Sequence, residues 1–396
     1  MTAASVRPDC ARSRGASAPR PRRFQRRHIR ENSHVKRKQL APLTAVVAVS
    51  ALALSACGQA PSESKDSEQK SDYKACMVSD AGGWDDRSFN QSGKEGFDKA
   101  VKEFGLQESD AESKDDSDFT SNVDQMVQQG CKLIYGVGFN LAPVMTKSAQ
   151  ENKDIDYALI DSPFTDKDGK TVELDNAKPI EFNTAQAAFL AGYVAAGTTK
   201  SNKVATFGGM NIPSVTIFMD GFADGVKKFN QDKGKDVKLL GWDKDKQSGS
   251  FSGDFDNQSQ GQTLANQFLS QGADIVMPVA GPVGLGAAAA VKKKDGAKLI
   301  WVDSDGYESA PDYKDIILTS VVKGIANSVY DTAKEAKDDK FSAEPYVGDL
   351  SNDGVGIAPY HDLEGDVPDD VKKSVDDLKQ QIIDGKLKVE SKASPK

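Results

Sequence analysis

Histidine is scarce in this sequence, with only three in 396 residues. His28 and His34 belong to the basic N-terminal stretch, which leaves His361 for the rest of the chain. A Ser-His-Asp or Cys-His catalytic site needs an imidazole beside its nucleophile, so the composition argues against both kinds of enzyme. The sequence also contains no CxxC pair and no HExxH motif. Because these spacings are typical of zinc and redox sites, we expect neither a metal nor a cofactor.

Long apolar runs are missing as well. The most apolar stretch, residues 43–54, is shorter than the ~20 residues that a membrane-spanning helix needs. It follows the basic residues 36–38 and precedes Ser55-Ala56-Cys57, an order typical of a secretory signal. Small residues before a cysteine resemble the bacterial lipobox, which implies cleavage before Cys57 and a lipid on its thiol. The alternative is a signal peptide that is cut nearby and leaves Cys57 free.

The head of the chain is unusually long for such a signal, which we take to span residues 1–56. A start at Val35 would give the ordinary basic beginning Val-Lys-Arg-Lys, so we expect residues 1–34 to reflect a start site assigned too early. Residues 57–72, after the apolar run, are polar and charged, and we expect a disordered tether with the lipid on Cys57.

Positive charge is concentrated in the head. The formal net charge of the chain is −8, but residues 1–56 carry +10, which leaves −18 for the remainder. Phosphate contacts need clustered Lys and Arg, so this acidic body argues against nucleic acid as a partner.

Two cysteines remain in the body, Cys76 and Cys131, both in apolar runs. We predict two separate buried thiols. A disulfide stays open as the alternative, since an exported protein meets oxidising conditions and the required Cα spacing cannot be read from sequence.

From Tyr73 onward, short apolar runs alternate with helical patterns. Strands are predicted at 74–79, 132–137, 157–161, 203–207, 237–241, 274–280, 298–303 and 316–322. Helices are predicted at 90–104, 119–129, 141–151, 184–197, 214–230, 258–271, 284–294 and 323–338. This alternation is typical of an α/β fold with parallel sheets.

The same pattern restarts near residues 181–203, and a late strand-like run covers 354–358. We therefore predict two Rossmann-like lobes joined by a hinge that the chain crosses more than once. The first lobe would hold 73–180 with 304–345, and the second 181–303 with 346–396. Ligands of open α/β sheets lie beyond the carboxyl ends of the strands, so the expected site is the cleft between the lobes.

The strongest local motif is residues 79–92, which follow a predicted strand and open a helix. Its glycines permit a tight turn, and Ser88 or Asn90 can cap the helix, whose N-terminus attracts polar ligand groups. An ordinary capped loop is the alternative, but a cap alone does not require the aromatic Phe89.

The spacing Asp80-x-Gly-Gly-x-x-Asp86-x-Ser88-Phe89-Asn90-Gln91-Ser92 resembles the opening signature of the basic membrane protein (Bmp) family. Further segments match in order: 189–196, 207–210, 213–215, 221–225, 272–274, 280–286, 302–305, 318–323 and 354–356. The resemblance covers roughly residues 75–360. It implies the type I periplasmic-binding-protein fold and an exported lipoprotein that binds a purine nucleoside, is held at the cell membrane by its lipid and serves an ABC permease.

The family's site can be carried over residue by residue. The resemblance implies that Phe89 stacks on the purine, a contact worth ~1–3 kcal/mol. Asp80 would accept hydrogen bonds from the ligand, and Asn90 can both donate and accept them.

Three further residues stand at or near strand ends. Asp161 follows Tyr157-Ala158-Leu159-Ile160 and would contact the ligand from the first lobe. Asp303 would hold ribose hydroxyls, and Lys323, in the family's Thr-Ser-x-x-Lys pattern, would bond ribose or a carboxylate. The alternative for these residues is a salt bridge or a cap where the chain crosses between lobes.

One position departs from the family. Relatives have a second stacking aromatic near the strand before Ala280-Gly281, where this chain has Met277. Met277 would pack on the base through its sulfur. Residues 281–286 lack the Lys and Ser/Thr of a phosphate loop, so we expect Gly281 to give close backbone approach to the ligand instead.

The predicted function is an extracytoplasmic nucleoside-binding subunit of an ABC importer, without enzymatic activity. The alternatives are a solute-binding lipoprotein for a sugar or another ligand, and a nucleoside hydrolase that uses Asp80, Asp161, Asp303 and Asp305. A ligand-sensing repressor would need a DNA-binding headpiece, and the signal segment occupies that place.

Overall fold

The computed structural model describes residues 71–395. The predicted signal, Cys57 and nearly all of the tether lie outside the described residues. Within 71–395 the strands are β1 (Lys74–Ser79), β2 (Gln107–Ala111), β3 (Leu133–Val137), β4 (Asp156–Ile160), β5 (Ala177–Phe182), β6 (Lys203–Gly208), β7 (Lys238–Leu240), β8 (Trp242–Asp243), β9 (Ser248–Gly249), β10 (Ile275–Val279), β11 (Lys298–Asp303), β12 (Ile317–Lys323), β13 (Tyr346–Gly348) and β14 (Val355–Ile357).

The α-helices over the same residues are α1 (Phe89–Phe104), α2 (Asp116–Gln128), α3 (Ala142–Glu151), α4 (Thr184–Thr198), α5 (Pro213–Lys233), α6 (Gln258–Ser270), α7 (Val283–Val291), α8 (Gly306–Ser309), α9 (Ile325–Lys337) and α10 (Asp369–Ile383). Short 3-10 helices lie at Phe139–Leu141, Pro311–Tyr313 and His361–Asp366. None of the helices in this part of the chain is long and apolar enough to cross a membrane.

Two six-stranded sheets form the framework. The first has the order β13-β5-β4-β3-β1-β2 and is entirely parallel. The second has the order β14-β12-β11-β10-β6-β7, and only β14 runs antiparallel in it. Every residue of β3 and of β10 is buried, as expected for central parallel strands with helices on both faces. We call each sheet with the helices packed on it a lobe.

Small residues bring helices of each lobe close together. A Cβ on Gly96 of α1 would lie 2.2 Å from the carbonyl oxygen of Ala326 in α9, so only glycine allows this approach in the first lobe. In the second lobe, Gly192 of α4 meets the Phe222 carbonyl of α5 in the same way, again at 2.2 Å.

The chain crosses between the lobes three times: between β5 and α4, between β12 and α9, and between β13 and β14. The expected boundaries are therefore wrong at two strands. Ile317–Lys323, expected in the first lobe, pairs with β11 in the second sheet, and Tyr346–Gly348, expected in the second lobe, pairs with β5 in the first. A strand has the same local sequence pattern in either sheet, so the pattern could not decide between them.

Cys76 and Cys131 form a disulfide, with their Cα atoms 5.9 Å apart. The prediction of two separate thiols is therefore wrong. Cys76 lies in β1 and Cys131 just before β3, and these two strands are neighbours in the first sheet. Adjacent pairing brings the two residues within the usual disulfide distance.

Candidate ligand-binding site

The carboxyl ends of strands from both sheets meet around one cavity. It encloses about 540 Å³ of empty space, a figure that includes space open to solvent. From the first lobe it is lined by Asp80, Ala81, Asp86, Phe89, Asn90, Gly138, Phe139 and Asp161. From the second lobe it is lined by Ile212, Ser214, Val215, Phe218, Phe255, Val279, Ala280, Gly281, Pro282, Asp303 and Lys323.

The cavity has aromatic walls on both sides. Phe89 and Phe139 line it from the first lobe, and Phe218 and Phe255 from the second. Met277, by contrast, is fully buried inside β10. The expectation that Met277 packs on the ligand is thereby corrected, because its side chain belongs to the core of the sheet.

Phe255 reaches the cavity from the loop between β9 and α6. The Phe255 ring packs directly against Gly209. A Cβ at that position would lie only 2.3 Å from Phe255 Cε1, so a larger residue would prevent this contact. Ser252 Oγ donates to the Asp254 carbonyl at 2.7 Å, and Asp254 Oδ1 accepts the backbone N–H of Asn257 at 2.8 Å, which fixes the loop before α6. The Gly208-Gly209 pair at the end of β6 was the available sequence signal for this contact.

The N-terminus of α1 is capped by Asp86. Its carboxylate accepts the backbone N–H groups of Ser88, Asn90 and Gln91 at 2.9, 2.8 and 3.0 Å. Ser88 and Asn90 were the expected caps, but the Ser88 hydroxyl instead donates to Asp303 across the cleft, at 2.9 Å. Burial raises the pKa of Asp86 to about 6; the three N–H donors oppose this shift and Asp303 adds to it.

Asp80 and Asn90 lie side by side in the first lobe. A Cβ on Gly138, whose φ is 118°, would be 1.8 Å from Asp80 Oδ2, so a glycine is required for Asp80 to sit against β3. Burial, and then the neighbouring Asp86, raise the pKa of Asp80 well above its usual range. Asn90 Nδ2 donates to the Ala81 carbonyl at 3.1 Å, while its buried Oδ1 has no hydrogen-bond partner among the described residues.

Lys323 links the two lobes. Its Nζ forms salt bridges with Asp161 of the first lobe and with Asp303 of the second, the latter at 3.1 Å. The same Nζ lies 5.0 Å from the ring centre of Phe89 and 4.9 Å from that of Phe218. Burial lowers the pKa of Lys323, but the two carboxylates more than offset this, so its pKa is raised and the ammonium stays charged.

Seven of the eight predicted site residues therefore come together: Asp80, Phe89, Asn90, Asp161, Gly281, Asp303 and Lys323. Asp305, considered for a hydrolase, instead caps α8 and bonds His361 Nε2 at 2.7 Å. Prediction missed Phe139, Phe218 and Phe255, of which Phe218 lies on the apolar face of α5 and looks like any core residue. Over the described residues, no cluster of His, Cys, Asp or Glu is suited to hold a metal ion.

The arrangement suits a flat, neutral ligand rich in hydrogen-bond donors. Aromatic rings offer stacking surfaces, and the carboxylates accept bonds from hydroxyl and N–H groups. Four carboxyl groups and one ammonium line the cavity, so its charge disfavours anions.

Comparison with known proteins agrees with this geometry. Residues 73–393 match the family described as "ABC transporter substrate-binding protein PnrA-like" (Bmp). The "ABC transporter nucleoside-binding protein BmpA" of Lactococcus lactis subsp. cremoris is 31% identical over 374 residues, 90% of this chain and 100% of that protein. The "CD4+ T-cell-stimulating antigen" of Listeria innocua is 31% identical over 378 residues, with the same coverage.

Among solved structures, a solute-binding protein of an ABC transporter system from Aeropyrum pernix K1 superposes with a TM-score of 0.71 at 25% identity, covering 80% of this chain and 92% of that one. One from Conexibacter woesei shares the fold, with a TM-score of 0.62 at 20% identity over 82% of this chain and 100% of that one. The predicted fold class is confirmed, and the homologous proteins are substrate-binding proteins rather than enzymes. The chain belongs to the Bmp family, the PnrA-like substrate-binding proteins of ABC transporters.

Proposed function

We propose that this protein binds a purine nucleoside in the cleft between its lobes and is held at the membrane by a lipid on Cys57. The observation that carries the nucleoside assignment is the presence of Phe89 and Phe255, one from each lobe, on the walls of a single cavity. As a substrate-binding protein of an ABC importer, it acts outside the cytoplasm with a small-molecule ligand and a permease as its partners.

The aromatic side chains support a heterocyclic ligand. A purine presents two flat faces, and stacking on an aromatic side chain is worth ~1–3 kcal/mol per base. Phe255 supplies the face from the second lobe that Met277 cannot supply. The name of the Lactococcus relative, a nucleoside-binding protein, points to the same ligand class.

The polar residues support a ribose. Asp161 and Asp303 are both held beside Lys323, where their remaining lone pairs can accept the hydroxyls of a sugar. Asp80 and Asn90, next to Phe89, are available for the polar edge of the base, and the Asn90 Oδ1 acceptor has no partner in the described protein.

The charge of the cavity favours a nucleoside over a nucleotide. A 5′-phosphate would bring two negative charges beside Asp86, Asp161 and Asp303, with Lys323 alone to balance them. We therefore expect phosphorylation of the ligand to abolish measurable binding.

Calorimetry on the purified protein tests the assignment. We expect inosine, adenosine or guanosine to bind, and inosine 5′-monophosphate and D-galactose to give no heat of binding. Binding of galactose without any nucleoside would replace the proposal with a sugar-binding function. Chromatography of the inosine mixture would reveal free hypoxanthine if the protein were a hydrolase, which would contradict the proposal.

A further inference from the structure

We propose that the loop between β1 and α1 forms a latch with the end of β11, and that this latch sets how tightly the cleft holds its ligand. The interlobe latch consists of Arg87 and Ser88 on the first lobe and Trp301, Asp303 and Ser304 on the second. Apart from Asp303, none of these residues lines the cavity, so they are positioning residues. The affinity part of this inference rests on the proposed nucleoside function, whereas the contact between the lobes does not.

One backbone carbonyl is the centre of the latch. The carbonyl oxygen of Arg87 accepts two hydrogen bonds from the opposite lobe, from Trp301 Nε1 and from Ser304 Oγ, each at 3.1 Å. Beside it, the buried Ser88 hydroxyl donates to Asp303 Oδ2 at 2.9 Å. All three bonds join the two lobes, so each breaks when these two surfaces move apart.

The first-lobe side of the latch is held in place. Arg87 has φ 61°, a left-handed conformation that residues other than glycine seldom adopt, and the next residue leads into α1. Upstream in the same loop, the Trp84 backbone N–H donates to Glu112 Oε1 and its indole N–H to Asp110 Oδ2, both at 2.8 Å. The carbonyl is therefore presented by a loop that is fastened to its own lobe.

The second-lobe side is equally fixed. The Trp301 side chain is 1% exposed, and a Cβ on Gly306 would lie 2.5 Å from its ring, so the indole is packed directly on the backbone. Ser304 Oγ lies 2.9 Å from Ser309 Oγ of its own lobe, which orients the hydroxyl. Donors that are already oriented lose little entropy when the lobes come together.

Contacts that form between the lobes on closure raise the affinity for the ligand without touching it. The apparent dissociation constant equals the intrinsic constant divided by the fraction of molecules in the competent state. Removing one hydrogen bond that exists only in the closed state lowers that fraction, and we expect binding to weaken by about two- to tenfold. The loss should appear as faster dissociation, because the lobes separate more often.

Ser304→Ala tests the latch, with Ser309→Ala as the matched control. Both variants lose the bond between these two hydroxyls, but only Ser304→Ala loses the bond to Arg87. We expect Ser304→Ala to bind inosine more weakly and release it faster than Ser309→Ala. Without ligand, small-angle scattering should give Ser304→Ala the larger radius of gyration.

The outcomes separate the latch from the ligand assignment. Equal inosine affinity and equal scattering for Ser304→Ala and Ser309→Ala would overturn the latch. If wild-type protein failed to bind inosine while Ser304→Ala still had the larger radius, the nucleoside proposal would fail and the latch would stand.

Discussion

Asp161 and Asp303 occupy matching places on opposite sides of the cleft. Asp161 directly follows the central strand β4 and Asp303 ends β11, and both have left-handed backbones, with φ 65° and 69°. Both carboxylates bind the ammonium of Lys323. Such strained positions persist only where the surroundings hold them, and they cluster at functional sites. The pair places one carboxylate on each lobe, and a single cation holds both.

Replacing Lys323 with Met should destabilise the protein by ~3–5 kcal/mol, because the change leaves buried carboxylates without their partner. Urea unfolding measures the loss. Adding Asp161→Asn and Asp303→Asn to the Lys323→Met protein should recover part of it. A triple variant no more stable than Lys323→Met would show that the charges do not account for the effect.

Replacing Phe255 with Ala should weaken inosine binding by ~1–3 kcal/mol, through the loss of one stacking face. Phe89→Ala should have an effect of similar size from the other lobe. Phe255→Tyr keeps the flat ring and serves as the control, with affinity near that of the wild type. Calorimetry that finds Phe255→Ala unchanged would exclude this residue from the base site.

Removing the disulfide should lower the free energy of unfolding by about 4 kcal/mol, because Cys76 and Cys131 are separated by 55 residues of chain. The double variant Cys76→Ala with Cys131→Ala should show this in urea, and reductant should then have no further effect. Inosine affinity should not change, since neither cysteine lines the cavity. Equal stability of wild type with and without reductant would contradict the bridge.

Asp156, at the start of β4, predicts a pH dependence. Burial, with Asp339 adding to it, raises its pKa to about 6, above the ordinary value of 3.8. The folded state therefore binds more protons than the unfolded state between pH ~4 and ~6, and this residue's contribution to stability falls as pH rises through that window.

Asp156→Asn should accordingly melt at a higher temperature than wild type at pH 7.5, and the difference should vanish near pH 4. Asp154→Asn, at an exposed position two residues earlier, is the control and should differ equally from wild type at both pH values. The same pH dependence in both variants would argue against Asp156 as its source.

The proposed lipid anchor predicts labelling at Cys57. In a bacterial host supplied with labelled palmitate, the wild-type protein should carry the label and sediment with membranes. Cys57→Ser should lose the label and either appear in the soluble fraction or remain as a precursor, while Cys10→Ser should resemble wild type. Membrane association of Cys57→Ser equal to that of wild type would remove the case for the anchor.

The sequence predicted those elements whose pattern follows directly from burial. The apolar run Leu299–Val302 indicated a strand covered on both faces, and the rule that ligands lie at strand ends directed attention to Asp161 and Asp303. β2 was missed because Gln107–Ala111 is a polar, largely exposed edge strand with no apolar alternation.

Features that depend on contacts between residues far apart in the sequence could not be predicted from the sequence. Phe218 has the spacing of a core residue on α5, and Phe255 lies in a loop without any period, so nothing local marked either as part of the cavity. The cysteine pairing and the sheet that β12 joins are likewise set by tertiary contacts.

The three crossings between lobes have a consequence for how the chain acquires its structure. β13, which completes the first sheet beside β5, follows five strands of the second sheet in sequence: β6, β7, β10, β11 and β12. During synthesis, which starts at the N-terminus, the edge of β5 that later pairs with β13 stays unpaired until most of the second lobe has been made. A fragment that stopped at Asn183 would lack both α9 and β13 and expose an unpaired strand edge, a surface that invites aggregation. The two lobes are thus separate in shape but not in assembly, and neither can be obtained by cutting the chain once.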